Sequence, residues 1–117
     1  MIKLKDKFNK NGLPYFLIKR NEVVALYGIA GEYDKKTIRH YEVSKIYIQK
    51  AQFWHGKNIP ETEHIPSNEQ FGNDKSICVS NKEWAESYYE WFTNYLKSTP
   101  VERKKIKPFI KPGVKYV

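Results

Sequence analysis

Histidines and carboxylates are the residues of this sequence whose side chains suit acid–base or metal chemistry. The sequence contains three histidines, His40, His55 and His64. Three carboxylates lie near two of them in the sequence: Glu61, Glu63 and Glu69. A His–Glu pair could act as general base and acid because histidine titrates near neutral pH, and nearby lysines could stabilise a phosphoryl transition state. Their spacing matches no metal-binding pattern such as His-Glu-x-x-His on a helix. We therefore expect no metal site and no catalytic residue, with a small hydrolase or nuclease as an alternative.

The single cysteine, Cys78, is predicted to be chemically inert. It lies between Ile77 and Val79 in a strand-like run, where alternation would bury its thiol, and buried thiols are usually inert. One cysteine excludes an intrachain disulfide and a multi-cysteine zinc site, and it fits a reducing compartment. The sequence contains no Gly-rich phosphate loop, nucleophile elbow or Cys-x-x-Cys motif. We expect no cofactor.

Length and composition predict one domain with a substantial core. The chain has 117 residues, of which 40% are hydrophobic and 15% aromatic. A domain of this size buries about two thirds of the surface that its unfolded chain exposes. No stretch approaches the roughly 20 apolar residues that a membrane-spanning helix needs. We expect a soluble, cytoplasmic protein with no membrane partner.

The net charge of +8 is concentrated at the two ends of the chain. Residues 1–20 carry six basic residues against one acid, and residues 97–117 carry seven against one, whereas residues 21–96 carry eight against eleven. Clustered lysines and arginines release counterions when they bind a phosphate backbone, so this asymmetry suggests a polyanionic partner. The alternative is that the basic ends only keep an aromatic-rich protein soluble.

Periodicity predicts an α+β fold. Strand-like runs with β-branched and aromatic residues occur at residues 2–8, 13–19, 23–30, 37–50 and 75–79. A turn is expected at residues 9–12, where Asn and Gly tolerate positive φ, and Gly28 indicates a bulge or a close approach. The short links between the first four runs favour an antiparallel meander of four to five strands.

One amphipathic helix is expected to cover this sheet. It follows Ser80, whose spacing to Glu83 fits a capping box, and it extends to about Lys97. Its aromatic residues form one broad stripe and are Trp84, Tyr88, Trp91, Phe92 and Tyr95. Such a stripe could be a platform for stacking nucleobases, but a cover for the sheet is favoured because isolated strands are only marginally stable in water.

Residues 51–74 are predicted to form an ordered surface loop, because they contain prolines and glycines and no sustained periodicity. Pro60 and Pro66 restrict the residues before them, Gly72 frees the chain to enter the next strand, and Phe71 is expected to anchor the loop. The loop is interpreted as a connector. Its acids and amides offer a recognition surface as the alternative.

The chain is divided into a single α+β domain over residues 1–97 and a basic, proline-containing tail over residues 98–117. Pro100, Pro108 and Pro112 disfavour a long helix in the tail. Basic tails with interspersed apolar residues occur as nucleic-acid arms, as strands that dock on a partner's sheet, and as disordered ends. All three possibilities are kept.

Two segments and the element that follows them resemble a known group of proteins. Residues 41–48 read YEVSKIYI, residues 66–72 read PSNEQFG, and an aromatic helix follows. In this combination, over residues 13–97, the chain resembles small uncharacterised proteins encoded by phages and other mobile elements of gut bacteria. The resemblance implies a bacterial host cell. It carries no activity onto residues of this chain and favours non-enzymatic roles: binding nucleic acid, building a particle or blocking a host protein.

The expected function is binding of nucleic acid or another polyanion through the basic ends. The residues expected to contact phosphates are Lys3, Lys5, Lys7, Arg103, Lys104, Lys105, Lys107 and Lys111. The alternative is a protein-interaction module, an inhibitor of a host protein or a particle component, that uses the 51–74 loop and the aromatic tail to bind a partner or a second copy. Aromatic residues dominate interface hot spots, and the candidates are Phe53, Trp54, Phe109 and Tyr116.

Overall fold

The computed structural model describes residues 1–65 and 75–110. The elements in chain order are β1 (Lys7–Lys10), β2 (Leu13–Arg20), β3 (Val24–Ala30), β4 (Ile38–Lys45), β5 (Tyr47–Gln49), β6 (Gln52–Trp54), β7 (Lys57–Ile59), β8 (Thr62–His64), β9 (Ile77–Val79), α1 (Lys82–Lys97) and α2 (Pro100–Arg103). Residues 66–74 and 111–117 lie outside the described part, and with them Glu69, the PSNEQFG segment with its Pro66, Phe71 and Gly72, Lys111 and Tyr116.

The main sheet has five antiparallel strands in the order β1-β2-β3-β4-β9. The first four form the meander that the sequence predicts, and β9 returns to pair with β4 just before α1. The predicted α+β class, with one long helix after the sheet, is therefore confirmed.

Two glycine positions explain how the meander turns and packs. Asn11 and Gly12 adopt φ of 54° and 79°, which is the left-handed backbone that the expected turn between β1 and β2 requires. At Gly28 in the middle of β3, an added Cβ would lie 2.9 Å from Ile38 and 3.1 Å from Ile18. Gly28 therefore marks a close approach of neighbouring side chains.

The helix α1 covers one face of the sheet, as its aromatic stripe predicts. Val24, Leu26 and Val43 of the sheet pack against Tyr88 and Phe92, all almost completely buried. The helix begins differently from the prediction: Asn81, not Ser80, is the N-cap, and its side chain accepts a hydrogen bond of 2.9 Å from the Trp84 N–H. Asn caps as well as Ser, so the predicted Ser80–Glu83 capping box is wrong by one residue.

The opposite face of the sheet is covered by the N-terminal segment, residues 1–6. The second core cluster lies here, with Tyr15, Tyr27 and Ile29 as its buried centre and Leu4 packed against it. The predicted strand over residues 2–8 begins only at Lys7. Before it, Ile2 makes an isolated parallel bridge to Thr62, because this part of the chain crosses the sheet face instead of extending its edge.

The predicted long strand at 37–50 and the predicted loop at 51–74 are both corrected. Residues 38–49 form two strands, β4 in the main sheet and β5 in a separate pair with β8. Residues 52–59 form a hairpin, β6–β7, whose turn residues His55 and Gly56 have φ of 48° and 76°. The hairpin was not predicted because His-Gly is a weaker sequence signal for a two-residue turn than Asn-Gly, although His tolerates left-handed backbone.

The N-terminal segment is tied to the rest of the fold by the buried carboxylate of Glu63. Arg20 donates two hydrogen bonds to it, of 2.5 and 2.8 Å, and the Leu4 N–H donates a third of 3.1 Å. Backbone hydrogen bonds of 2.8 Å from Ile2 N–H to Glu61 and from Glu63 N–H to Ile2 close the contact. The pair therefore links β2, β8 and the N-terminal segment.

We predict that Glu63→Gln lowers the free energy of unfolding by about 3 kcal/mol at pH 7, because Arg20 is left without its buried partner. The Arg20 guanidinium lowers the pKa of Glu63 from 4.5 to about 2. A carboxyl whose folded pKa is depressed stabilises the fold above its unfolded pKa and loses that contribution as pH falls from about 5 to about 2. Urea unfolding across this pH range should therefore show a shallower acid loss for Glu63→Gln than for the unmodified chain.

The exposed Glu22→Gln variant is the control and should keep the full acid loss. An equal acid loss in Glu63→Gln and in the unmodified chain would contradict this role of the pair.

Candidate functional site

The predicted phosphate-binding lysines near the N-terminus lie on the surface, and one of them also has an internal partner. The Lys3 side chain is 69% exposed and its Nζ lies 3.9 Å from the Glu63 carboxylate. Lys5 is exposed, while its backbone carbonyl accepts a hydrogen bond of 2.9 Å from the Tyr27 hydroxyl. Lys7 is exposed with its Nζ 5.3 Å from the Phe16 ring centre. Together they form the N-terminal basic set, Lys3, Lys5 and Lys7.

A cleft of about 470 Å³ lies between the N-terminal segment and β8. Its wall combines apolar side chains, among them Leu4 and Phe8, with Lys3, Lys5 and Lys10. A volume of this size falls within the range of small-molecule sites. The cleft is therefore an apolar recess with a positively charged rim.

A second, shallower cleft of about 550 Å³ lies between the N-terminal basic residues and the end of α1. Lys3 from the N-terminal end and Lys97 from the end of α1 both line it, together with Arg20 and the acids Asp6 and Glu22. Asn21 holds this corner, because its side-chain amide donates a 2.8 Å hydrogen bond to Thr93 on α1. Residues that are far apart in the sequence thus contribute to one surface.

Arg103 ends α1. Its guanidinium donates hydrogen bonds of 3.0 and 3.1 Å to the Tyr95 and Leu96 carbonyls, which are among the last acceptors of the helix. The short helix α2 places it there through a capping box between Thr99 and Glu102 with Pro100 at the first turn. The sequence signal for this cap is the Thr-Pro-x-Glu pattern at residues 99–102.

The chain after α2 is docked along α1. The Trp91 indole N–H donates a 2.9 Å hydrogen bond to the Lys107 carbonyl. The Phe109 ring centre lies 4.9 Å from that of Tyr88, edge to face, and 6.1 Å from that of Trp91. Phe109, one of the interface candidates, is thus half-buried and packs against α1.

Three lysines of this docked segment point their charge outward. Lys104, Lys105 and Lys107 are exposed, and within the described ranges none of them is within 4.0 Å of a carboxylate. With Arg103, and with Lys111 outside the described part, they form the C-terminal basic set. Like Lys5 and Lys7 of the N-terminal basic set, these three lysines are exposed and available for an anion.

The hairpin β6–β7 carries the exposed aromatic residues that the sequence singled out. Phe53 is 70% exposed and Trp54 is 59% exposed. His55 at the turn packs edge to face on Trp54, with 4.5 Å between ring centres. The strands of the hairpin pair with each other and not with the main sheet, so these aromatic rings are presented on a separate ribbon.

The three histidines lie on different elements of the fold. His40 is exposed on β4, His55 is at the hairpin turn, and His64 stacks on Tyr47 with 5.6 Å between ring centres. In residues 1–65 and 75–110, no three His, Cys, Asp or Glu side chains are placed to hold a metal ion. Glu63 is buried and forms an ion pair with Arg20.

Cys78 is exposed, so the prediction that alternation buries it is wrong. It lies opposite Glu42 across the β4–β9 pair, on the sheet face away from α1, and this short edge strand leaves its side chain accessible. Partial burial and the neighbouring Glu42 nevertheless raise the pKa of the thiol. A thiol with a raised pKa is a poor nucleophile at neutral pH.

A buried polar network around Glu42 was not predicted. The Glu42 carboxylate accepts hydrogen bonds from Ser44 at 2.9 Å and from Tyr15 and Lys10, both at 3.4 Å. Its side chain is 1% exposed and that of Lys10 is 17% exposed. Burial raises the pKa of Glu42, and the Lys10 charge opposes this. The sequence signal is an acid between Tyr41 and Val43, whose alternation with Val43 places it on the opposite face of the strand.

No protein-family model, curated protein or solved structure matches this chain. The resemblance to proteins of phages and mobile elements therefore stays a prediction. Among the helices of the described residues, none is long and apolar enough to cross a membrane.

We predict that Lys10→Met destabilises the fold by about 3 kcal/mol at pH 7, because it leaves the buried Glu42 carboxylate without a cation. The double variant Lys10→Met/Glu42→Gln should lie within about 1 kcal/mol of the unmodified chain, because a neutral amide replaces the uncompensated charge. A carboxyl with a raised folded pKa favours the fold at low pH, so the single variant should recover stability from pH 7 to pH 5.

Urea unfolding of the three proteins at both pH values measures this coupling. A double variant as unstable as Lys10→Met would contradict the electrostatic account and indicate that packing of the lysine stem is what matters.

Proposed function

We propose that this chain is a non-enzymatic binding protein that engages nucleic acid, a polyanion, through its basic ends. The C-terminal basic set makes the main contact and the N-terminal basic set extends it. The observation that carries the proposal is the group of Lys104, Lys105 and Lys107, exposed on a segment that is fixed to α1.

The distribution of acids supports this function. Glu42 and Glu63, two of the acids that make the middle of the chain negative, are buried against Lys10 and Arg20. Lys10 and Arg20 neutralise these two acids, and within the described residues no carboxylate lies within 4.0 Å of Lys104, Lys105 or Lys107. Uncompensated surface lysines attract a phosphate backbone and raise its association rate.

The docked C-terminal segment supports it as well. Its hydrogen bond to Trp91 and the packing of Phe109 hold the backbone that carries the lysines. Backbone already ordered before binding reduces the entropy that association must lose. The segment therefore presents its lysines as a fixed array.

The expected mode of binding is sequence-indifferent. Lysines contact phosphates as point charges and carry no base information, and the chain contains no recognised base-reading motif. The affinity then comes mainly from counterion release and falls steeply with salt.

We predict that the triple variant Lys104→Ala/Lys105→Ala/Lys107→Ala weakens binding to a mixed-sequence single-stranded oligonucleotide. On a plot of log affinity against log salt concentration, its slope should be shallower by about 2, because three phosphate contacts are lost. Fluorescence anisotropy with a labelled oligonucleotide measures both quantities. Point variants are preferred to truncation after Lys97, which would uncover Trp91.

The matched control is Lys36→Ala/Lys50→Ala/Lys82→Ala, which removes three exposed lysines elsewhere and leaves the same net charge. The control should retain most of the affinity and slope. If both triple variants lose the same amount, binding depends on net charge alone; if the unmodified chain does not bind at low salt, the proposed function is wrong.

The exposed aromatic hairpin favours a second function, association with a protein partner or a second copy. Phe53 and Trp54 expose large apolar surface on a ribbon, and such surface away from a core marks interaction sites. Aromatic side chains also contribute most to interface hot spots. This association should depend little on salt.

We predict that the unmodified chain self-associates with increasing concentration at high salt and that the double variant Phe53→Ser/Trp54→Ser does not. The melting temperature of the variant should be nearly unchanged, because both side chains are exposed. Sedimentation velocity at several protein concentrations measures the self-association. The variant Tyr33→Ser, at a residue that is 97% exposed, is the control and should behave as the unmodified chain. A monomer at every concentration would rule out the second copy as partner.

A further inference from the structure

The outer edge of α1 and the docked C-terminal segment enclose a cleft of about 320 Å³. Its lining is almost entirely aromatic and apolar, with one lysine, and consists of Lys75, Tyr88, Trp91, Tyr95, Ile106, Pro108 and Phe109. The volume is at the lower end of the range for small-molecule sites. The cleft therefore suits a small, flat group.

Covering the sheet does not account for all of the aromatic stripe. Phe92 and Tyr88 on its inner edge are 0% and 6% exposed and supply the cover. Trp91 and Tyr95 on its outer edge are only half-buried, and their rings stack on each other at 5.3 Å with an angle of 17°. The stripe thus has an inner edge that packs the core and an outer edge that borders the cleft.

Cations surround this aromatic lining. The Lys75 Nζ lies 5.4 Å and the Arg103 guanidinium 5.0 Å from the Tyr95 ring centre. Lys105 and Lys107 are exposed on either side of Ile106, which lines the cleft. Lys75 lines the apolar recess, and Arg103 lies against the ring of Tyr95, which lines it too. An apolar recess with positive charge close by is complementary to a flat ring attached to an anionic backbone.

We infer that the nucleic acid bound by this chain is single-stranded and that one of its bases enters the cleft against Trp91 and Tyr95. The inference rests on the proposed function. The flanking phosphates lie against Lys105, Lys107 and Lys75. Every nucleobase has a face that stacks on aromatic side chains, so this contact adds affinity without sequence preference. In a duplex the bases are paired and stacked, and none is available to the cleft.

The experiment compares four ligands of similar length by fluorescence anisotropy or competition, using the full chain. They are oligothymidylate, an abasic phosphodiester strand with the same number of phosphates, a blunt DNA duplex and a heparin fragment. Stacking of one base strengthens binding by about tenfold in comparable sites. Oligothymidylate should therefore bind about tenfold more tightly than the abasic strand.

The variant Tyr95→Leu keeps apolar volume and removes the ring, and it should abolish the preference for oligothymidylate over the abasic strand. Tyr33→Leu, at a highly exposed tyrosine elsewhere, is the matched control and should keep it. If Tyr95→Leu is poorly folded by circular dichroism, Ile106→Phe serves instead, because it fills the cleft and leaves Trp91 and Tyr95 in place.

The outcomes separate the two proposals. If the unmodified chain prefers oligothymidylate to the abasic strand and Tyr95→Leu or Ile106→Phe removes this preference, the result supports binding of a base in the cleft. Equal binding of the oligothymidylate and abasic strands, or tighter binding of the duplex, overturns the inference and leaves the proposed function standing. Absence of binding to all four ligands at low salt overturns both.

Discussion

The rest of this molecule depends on the pairing of two buried carboxylates with cations from other parts of the chain. Glu42 and Glu63 both lie out of water, where an ionised group is costly unless a cation meets it. The cations come from the beginning of the chain, Lys10 for Glu42 and Arg20 for Glu63. The second pair also holds the N-terminal segment across the sheet face that α1 does not cover. The ion pair between Arg20 and Glu63 therefore also holds the N-terminal segment over the second core cluster.

The same pairing decides which charges can reach a partner. Four basic residues of the N-terminal end, Lys3, Lys10, Lys19 and Arg20, lie within 4.0 Å of a carboxylate, and the carboxylates of Lys10 and Arg20 are buried. The C-terminal lysines are not occupied in this way within the described ranges. The apparent symmetry of two basic ends in the sequence therefore becomes an asymmetry in the fold, and the C-terminal end is the better candidate for binding.

The aromatic residues divide in a similar manner. Those on the inner edge of α1 cover the apolar face of the sheet, and a small sheet needs such a cover to be stable in water. Those on its outer edge are partly covered by the C-terminal segment, through the contact of Phe109 with Trp91 and the hydrogen bond from Trp91. Phe53 and Trp54 have neither role and stay exposed on the hairpin. One residue class thus supplies core, cleft and exposed ribbon.

The sequence by itself determined the α+β class, the meander, the helix to Lys97 and its inward aromatic stripe, because local periodicity and turn residues dictate these. It misplaced the N-cap by one residue and the start of the first strand, and it predicted a loop where residues 52–59 form a hairpin. It also did not foresee the partners of Glu42 and Glu63, the exposure of Cys78 or the docking of Phe109. Tertiary structure alone decided those, since they depend on contacts between residues far apart in the chain, which no local pattern records.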